Sequence, residues 1–171
     1  MDLCILQVDR DDIVKNKKTN AARNLDSLHI DYSIMEYEVD LEDLSAIHVA
    51  ANSGQDIKTV FKTLVCRGDK NGVLMACIPG DGTLDLKALA AVSGNKRVEL
   101  VPLKEVLGLT GYVRGGCSPL GAKKNYPVYL DESSGKYEHI SISAGKRGEQ
   151  IILAPGDLVQ AVNAIVAKLI R

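Results

Sequence analysis

The sequence predicts an α+β domain whose sheet is mixed and largely antiparallel. Two apolar runs, residues 59–67 and 73–78, are typical of strands, and the glycines of residues 68–72 between them suit a hairpin turn. Helical and strand-like patterns follow one another irregularly, without the strict alternation of a parallel α/β fold. Hydrophobic residues make up 46% and charged residues 25% of the 171 residues, which is enough for a single domain with a real core.

Five helices are predicted, each from an apolar periodicity bounded by a start or a stop residue. They cover residues 20–29, 44–53, 85–93, 102–107 and 155–169. The bounding residues are Thr19 or Asn20, Gly54, Gly94, Pro102, Gly108 and Pro155. The second helix is expected to place Leu44, Ile47, His48 and Ala51 on one face. The last is expected to carry a stripe of Leu158, Ala161, Val162, Ile165 and Leu169.

The predicted strands cover residues 32–39, 59–67, 73–78, 97–101, 127–130, 138–143 and 149–153. The hairpin strands are apolar on both faces, so we expect them to be covered on both sides. The strands at 127–130 and 138–143 flank a turn at 132–135. Residues 1–17, which are apolar from 3 to 8 and then charged, are predicted to be an extension before a domain of residues 18–171.

Composition excludes several classes of protein. The net charge of −1 argues against a general polyanion binder, so any contact with nucleic acid needs a local basic patch. The four cysteines form no CxxC pair and have no histidine at metal-ligand spacing, and their usage suits a reducing compartment. No apolar run reaches the ~18 residues of a membrane span, and the N-terminus does not resemble a signal peptide. We therefore expect a cytoplasmic protein without a metal, a cofactor or a membrane partner.

Residues 111–124, called the glycine loop below, are the main candidate for a binding site. They contain four glycines, one proline and three basic residues. Glycine permits positive φ and lets a ligand approach backbone N–H groups, while Pro119 fixes its own φ and restricts Ser118. A pre-shaped pocket of backbone donors is one interpretation. A long surface turn is the other.

Lys62 is unusual because it lies in the middle of an apolar strand. By strand alternation it shares a face with Val60 and Leu64. A lysine there either reaches the edge of the sheet or points into a cavity and meets an anion. Residues 145–148, Gly-Lys-Arg-Gly, allow two interpretations as well, a solvated hairpin tip or part of a basic patch with Arg114, Lys123 and Lys124.

Other chemistry is weakly supported. The segment 116–121 lacks the lysine that a phosphate-binding P-loop places directly after its second glycine. Cys117 is a candidate nucleophile because nearby cations would lower its pKa, but no histidine or acid is placed beside it or beside Ser118. His29, His48 and His139 are more typical of structural positions. An enzyme of this kind would depend on positioning and on oxyanion stabilisation.

Four motifs in fixed order carry a family resemblance. They are residues 18–23, 60–65, 110–121 and 143–148. Together they resemble the YbaK/EbsC family of aminoacyl-tRNA deacylases, related to the editing domain of bacterial prolyl-tRNA synthetase. The most similar subgroup is the Cys-tRNA(Pro) deacylases. The resemblance covers about residues 18–170.

The resemblance implies a barrel-like mixed sheet flanked by helices and a pocket for the aminoacylated 3′ end of tRNA. Lys62 would bind the terminal adenosine or its phosphate. The backbone of the glycine loop would hold the aminoacyl carbonyl and the ribose through Gly115, Gly116, Cys117, Ser118 and Pro119. The remaining substrate contacts would come from Tyr37, Ser143, Gly145, Lys146 and Arg147. Aminoacylated tRNA, with tRNA(Pro) foremost, is the implied partner, and prolyl-tRNA synthetase is a second candidate.

In the Cys-tRNA(Pro) subgroup the resemblance implies attack by the substrate's own thiol on its ester carbonyl, which releases a cyclic thiolactone. Relatives for other amino acids use an activated water. The chain departs from the subgroup at Ser45, Cys117, Ala144 and Gln150, and these departures leave amino-acid specificity open. Three alternatives stay open: a deacylase for another amino acid such as Ala on tRNA(Pro), a non-catalytic module that binds the 3′ end of tRNA, and a thiol enzyme acting through Cys117.

Overall fold

The computed structural model describes residues 18–171, and the proposed N-terminal extension, including the apolar residues 3–8 and Cys4, lies outside the described residues. The described helices are α1 (Asn20–Ser27), α2 (Ala46–Ser53), α3 (Leu86–Ser93), α4 (Leu103–Thr110) and α5 (Pro155–Val162). Short 3-10 helices cover Ile57–Thr59 and Glu132–Lys136. The described strands are β1 (Ser33–Glu36), β2 (Phe61–Gly68), β3 (Gly72–Pro79), β4 (Val98–Leu100), β5 (Val128–Asp131), β6 (Ile140–Ser143), β7 (Glu149–Leu153) and β8 (Ile165–Ala167).

The strands form two sheets, which confirms the predicted α+β class. A five-stranded sheet has the order β4-β2-β3-β5-β8, and a three-stranded sheet has the order β1-β7-β6. The pairs β3–β5 and β5–β8 are parallel, and the other pairs are antiparallel. A parallel bridge between Val60 and Ser141 links the two sheets at the start of β2. The predicted hairpin is observed as β2 and β3, joined at Gly68 and Gly72.

Two cores cover the five-stranded sheet on opposite faces, as the apolar pattern of its central strands predicts. Phe61 and Val65 of β2 belong to a core shared with the three-stranded sheet and with Leu158 of α5. Cys66, on the alternate face, belongs to a second core with Leu89 of α3. Burying such side chains is worth ~1.5–3 kcal/mol each, so β2 is anchored from both sides.

Several helix ends follow the local chemistry that the sequence indicates. Thr19 caps α1, since its side-chain oxygen accepts a hydrogen bond from Ala22 N at 3.2 Å. Gly54 and Gly94 end α2 and α3 in the left-handed conformation, with φ of 70° and 74°.

The C-terminal region differs from the prediction. The last helix ends at Val162, because Asn163 takes a left-handed conformation with φ of 56°. Ile165 therefore lies in strand β8 and pairs with Tyr129 of β5. The predicted helical stripe through Leu169 was wrong, because the β-branched residues after the helix cap suit a strand better than a helix.

Three further expectations were wrong. Gly108 lies inside α4, which ends at Thr110 with Gly111 as its left-handed C-cap, since an exposed glycine can be accommodated within a helix. In α2 the buried residues are Val49 and Ala50, whereas Ile47 is 62% exposed. The strands β5 and β6 do not flank a simple turn but belong to different sheets, separated by the 3-10 helix.

Candidate functional site

A cavity of about 470 Å³ is lined by residues 60–65, at the first half of β2. The neighbouring strand β4 pairs only with Cys66, Arg67 and Gly68, so the preceding half of β2 borders the cavity. The rest of the wall comes from the start of α2, the region of β4 and α4, the glycine loop, and the strands β6 and β7. This size is typical of a small-molecule site.

Lys62 lies on the wall of this cavity and is half-buried. Its Nζ donates a hydrogen bond to Gly80 O at 3.3 Å. Desolvation lowers the pKa of Lys62, and the nearby charge of Asp81 works in the opposite direction. Within residues 18–171 no carboxylate forms an ion pair with Lys62. Of the two interpretations made from the sequence, the structure favours the cavity, because Lys62 is one of its lining residues.

The glycine loop and the basic loop of residues 145–148 are in direct backbone contact. A Cβ on Gly116 would lie 3.1 Å from Lys146 Cα and 3.3 Å from Arg147 N. Arg147 Nε donates a hydrogen bond to Arg114 O at 2.8 Å. Gly115 has φ of 82°, a backbone conformation that side chains rarely adopt. The two loops therefore hold each other in place beside the cavity.

Tyr112 is a residue that the sequence reasoning did not single out. Its hydroxyl donates a hydrogen bond of 2.6 Å to Leu120 O, which joins the two ends of the glycine loop. Its ring packs so closely on Gly145 that a Cβ there would lie 2.8 Å from Tyr112 Cε1. Burial raises the pKa of Tyr112 to about 12. Two features of the sequence could have identified Tyr112, namely its aromatic side chain and its place within the glycine loop.

Cys117 lines the cavity, but its thiol differs from the sequence expectation. Burial raises the pKa of Cys117 to about 11, and a hydrogen bond with Thr110 opposes the rise. The expectation that nearby cations would lower this pKa was therefore wrong, because burial raises it and the opposing effect comes from the Thr110 hydrogen bond rather than from a cation. Ser118 is fully buried, and its Oγ accepts a hydrogen bond from Leu120 N at 3.3 Å, which is a local turn contact.

The other candidate residues divide into two groups. Ser143 lines the cavity, and its Oγ accepts a hydrogen bond from Gly145 N at 3.1 Å. The second group is absent from the described wall. Tyr37 packs on Val49, Ala50 and Val60, and Pro119 lines a separate pocket. Lys146 forms an ion pair of 2.9 Å with Glu149. The other candidates absent from the wall are Gly116, Ser118, Gly145 and Arg147.

The wall has a marked electrostatic character. Within the described part of the chain its charged lining residues are Lys62 and Arg114, and none is Asp, Glu or His. Its remaining polar side chains include Ser45, Thr63 and Gln150. The arrangement can therefore attract a negatively charged group at one end and present neutral hydrogen-bonding groups elsewhere.

Residues 18–171 show neither a metal-binding cluster nor a membrane-spanning helix. No group of three or more His, Cys, Asp or Glu side chains in that range could hold a metal ion. No helix there is both long and apolar enough to cross a membrane.

Comparisons with known proteins identify a family and a shared fold. Residues 43–161 match the family model described as an aminoacyl-tRNA editing domain. An Enterococcus faecalis protein named "Putative Cys-tRNA(Pro)/Cys-tRNA(Cys) deacylase EbsC" is 46% identical over 153 residues, which are 90% of this chain and 93% of that protein. A proline–tRNA ligase of Thermosipho africanus is 34% identical over 68 residues, 40% of this chain and 12% of the ligase. A crystal structure described as "a putative trans-editing enzyme for prolyl tRNA synthetase" is similar with a TM-score of 0.75 and 26% identity, over 90% of this chain and 98% of that chain.

Proposed function

The chain belongs to the aminoacyl-tRNA editing domain family, and on this premise we propose that it is a trans-editing deacylase that cleaves the ester of mischarged Cys-tRNA(Pro). The resemblance to the YbaK/EbsC family that the sequence motifs indicate is confirmed by the family match and by the 46% identical relative. The name of that relative supports the choice of cysteine and of tRNA(Pro).

The observation that carries the proposal is the meeting of three separated segments at one cavity. Lys62 comes from β2, Gly115 and Cys117 from the glycine loop, and Ser143 from β6, and all four residues line the same space. The Lys62 ammonium, without a carboxylate partner in the described residues, suits a phosphate or a ribose oxygen of the terminal nucleotide. The neighbouring glycine backbone suits close approach by the ester carbonyl.

The wall favours chemistry in which the substrate supplies the nucleophile. It offers no Asp, Glu or His among its described lining residues, and the raised pKa keeps Cys117 a neutral thiol near pH 7. In the proposed reaction the substrate's sulfur attacks its own carbonyl carbon, a C–S bond forms and the C–O bond to the ribose breaks. The thiol proton ends on the ribose hydroxyl, so the products are a cyclic thiolactone and uncharged tRNA.

The finer assignments rest on similarity rather than on contacts. Prolyl-tRNA synthetase as a partner is supported by the match to the proline–tRNA ligase. The cytoplasmic location and the boundary at residue 17 stay predictions. The thiol-enzyme alternative is disfavoured because the half-buried Cys117 thiol has a raised pKa and holds its proton near pH 7.

A panel of charged tRNAs tests the proposal. Cys-, Ala-, Ser- and Pro-tRNA(Pro) and Cys-tRNA(Cys) are incubated with the protein, and release of the amino acid is followed over time. Selective cleavage of Cys-tRNA(Pro) supports the proposal, and cleavage of Ala-tRNA(Pro) alone would point to the water-dependent alternative. Tight binding of tRNA without cleavage of any ester would leave the non-catalytic module.

A further inference from the structure

Gln150 combines deep burial with an unsatisfied polar atom on the wall of the cavity. It lies in β7, where it pairs with Met35 of β1 and with Ser143 of β6. Its exposed fraction is 4%, and it lines the cavity. Its side-chain oxygen, Oε1, is buried and has no hydrogen-bond partner among the described residues.

A buried amide oxygen without a hydrogen-bond partner needs a physical explanation. Leaving a buried acceptor without a partner costs ~1–3 kcal/mol, and buried polar groups in proteins are seldom left so. The terminal torsion of glutamine is broad, so a turn of the amide can present the oxygen to the cavity at little cost. A ligand that brings a hydrogen-bond donor would remove the penalty.

The charges of the wall indicate which donor this is. Lys62 is the cation on β2, so a phosphate or a ribose is favoured on its side of the cavity. The bridge from β2 to β6 and the pairing of β6 with β7 place Gln150 two strands away from β2, a separation of ~10 Å at the usual strand spacing. A cationic ligand group at Gln150 is thereby kept apart from the Lys62 ammonium.

We propose that Gln150 is a specificity-determining residue whose carboxamide oxygen accepts a hydrogen bond from the α-ammonium of the aminoacyl group. An ammonium has N–H donors and no acceptor, so it requires oxygens of this kind. The wall provides a neutral acceptor at this point instead of a carboxylate. Gln150 thereby selects aminoacyl esters over simple acyl esters, an assignment that rests on the deacylase function proposed above.

The test compares two esters that differ only in the α-amino group, Cys-tRNA(Pro) and the same tRNA acylated with 3-mercaptopropionate. Both keep the thiol and the ester. The wild type is expected to cleave the cysteinyl ester about 10- to 100-fold faster, the range of one buried hydrogen bond to a charged group. Gln150→Met should remove this preference by slowing the cysteinyl ester alone, whereas Gln150→Glu, which retains an acceptor, should keep it.

Gln55→Met is the matched control, because the Gln55 oxygen already accepts a hydrogen bond from Ser141 Oγ at 3.2 Å and Gln55 is not part of the described wall. It should leave the preference unchanged. Equal slowing of both esters by Gln150→Met would overturn the inference and leave a structural role. Equal cleavage of both esters by the wild type would overturn it while leaving the deacylase function intact, whereas cleavage of neither would overturn both.

Discussion

The backbone of Gly116 packs directly on the backbone of Lys146, so closely that a Cβ at position 116 would lie 3.1 Å from Lys146 Cα. The contact joins the glycine loop to the loop between β6 and β7. Because the glycine loop lines the cavity and the other loop joins its lining residues Ser143 and Gln150, this approach of two main chains helps to set the shape of the cavity.

Gly116→Ala is expected to separate the two loops and to lower the deacylation rate about 10- to 100-fold, the cost of a displacement of about 1 Å in a positioned site. The measurement is the initial rate on Cys-tRNA(Pro), together with a thermal unfolding curve. Gly108→Ala is the matched control, since a Cβ there meets nothing within 4 Å and alanine favours the helix. A rate for Gly116→Ala equal to that of the control would contradict the role of the contact.

Tyr112→Phe removes the hydrogen bond of 2.6 Å to Leu120 O and leaves a buried carbonyl unpaired. We expect a loss of about 1–3 kcal/mol in the free energy of unfolding and a slower reaction, because the loop loses its closure. Tyr126→Phe makes the same chemical change at a hydrogen bond of 2.7 Å to Leu109 O, away from the cavity wall. It should lower stability with little effect on the rate, and equal effects of the two variants on the rate would refute the assignment.

Cys117→Ala is expected to retain activity within about tenfold, because the proposed reaction uses the substrate's thiol and the Cys117 thiol holds its proton. Single-turnover cleavage of Cys-tRNA(Pro) measures this. Complete loss of turnover in a folded Cys117→Ala protein would instead favour the thiol-enzyme alternative.

The same thiol gives a dependence of stability on pH. Its folded pKa of about 11 lies above the usual thiol value of 9.0, so the folded state holds a proton that the unfolded state releases. Its contribution to stability is present below pH 9 and is lost as the pH rises towards 11. The free energy of unfolding of Cys117→Ala should therefore fall less steeply over this interval than that of the wild type, as measured by urea unfolding. Parallel curves would contradict the assignment.

Local features of the fold could be predicted from the sequence. Thr19, Gly54 and Gly94 act within one or two helical turns, so their capping roles follow from residue type and spacing. The last helix was predicted too long because Asn163 can also occur within a helix, and its left-handed conformation depends on the pairing of the following strand with β5. Tertiary pairing decided that boundary.

The site was predictable in part. Its loops and Lys62 were visible as motifs, but the contact of Gly116 with Lys146 joins segments that are distant in sequence. The pKa of Cys117 depended on burial, which the adjacent lysines and arginine in the sequence do not reveal. Gln150 was noticed as a departure from the family pattern, whereas its unpaired oxygen follows only from the packing of β7 in the sheet.

The cleavage of Cys-tRNA(Pro) by the wild type and by Lys62→Ala tests the central claim most directly, with Lys58→Ala as the control. Lys62 is hydrogen-bonded to Gly80 O, and Lys58 lies near the same turn, in an ion pair of 3.9 Å with Asp81. Because Lys58 is exposed, it should be dispensable. The account predicts release of cysteine as its thiolactone by the wild type and by Lys58→Ala, and a rate lower by at least about tenfold for Lys62→Ala, in line with the loss of a hydrogen bond from a charged group. Equal rates for Lys62→Ala and the wild type, or no cleavage by any of the three proteins, would contradict it.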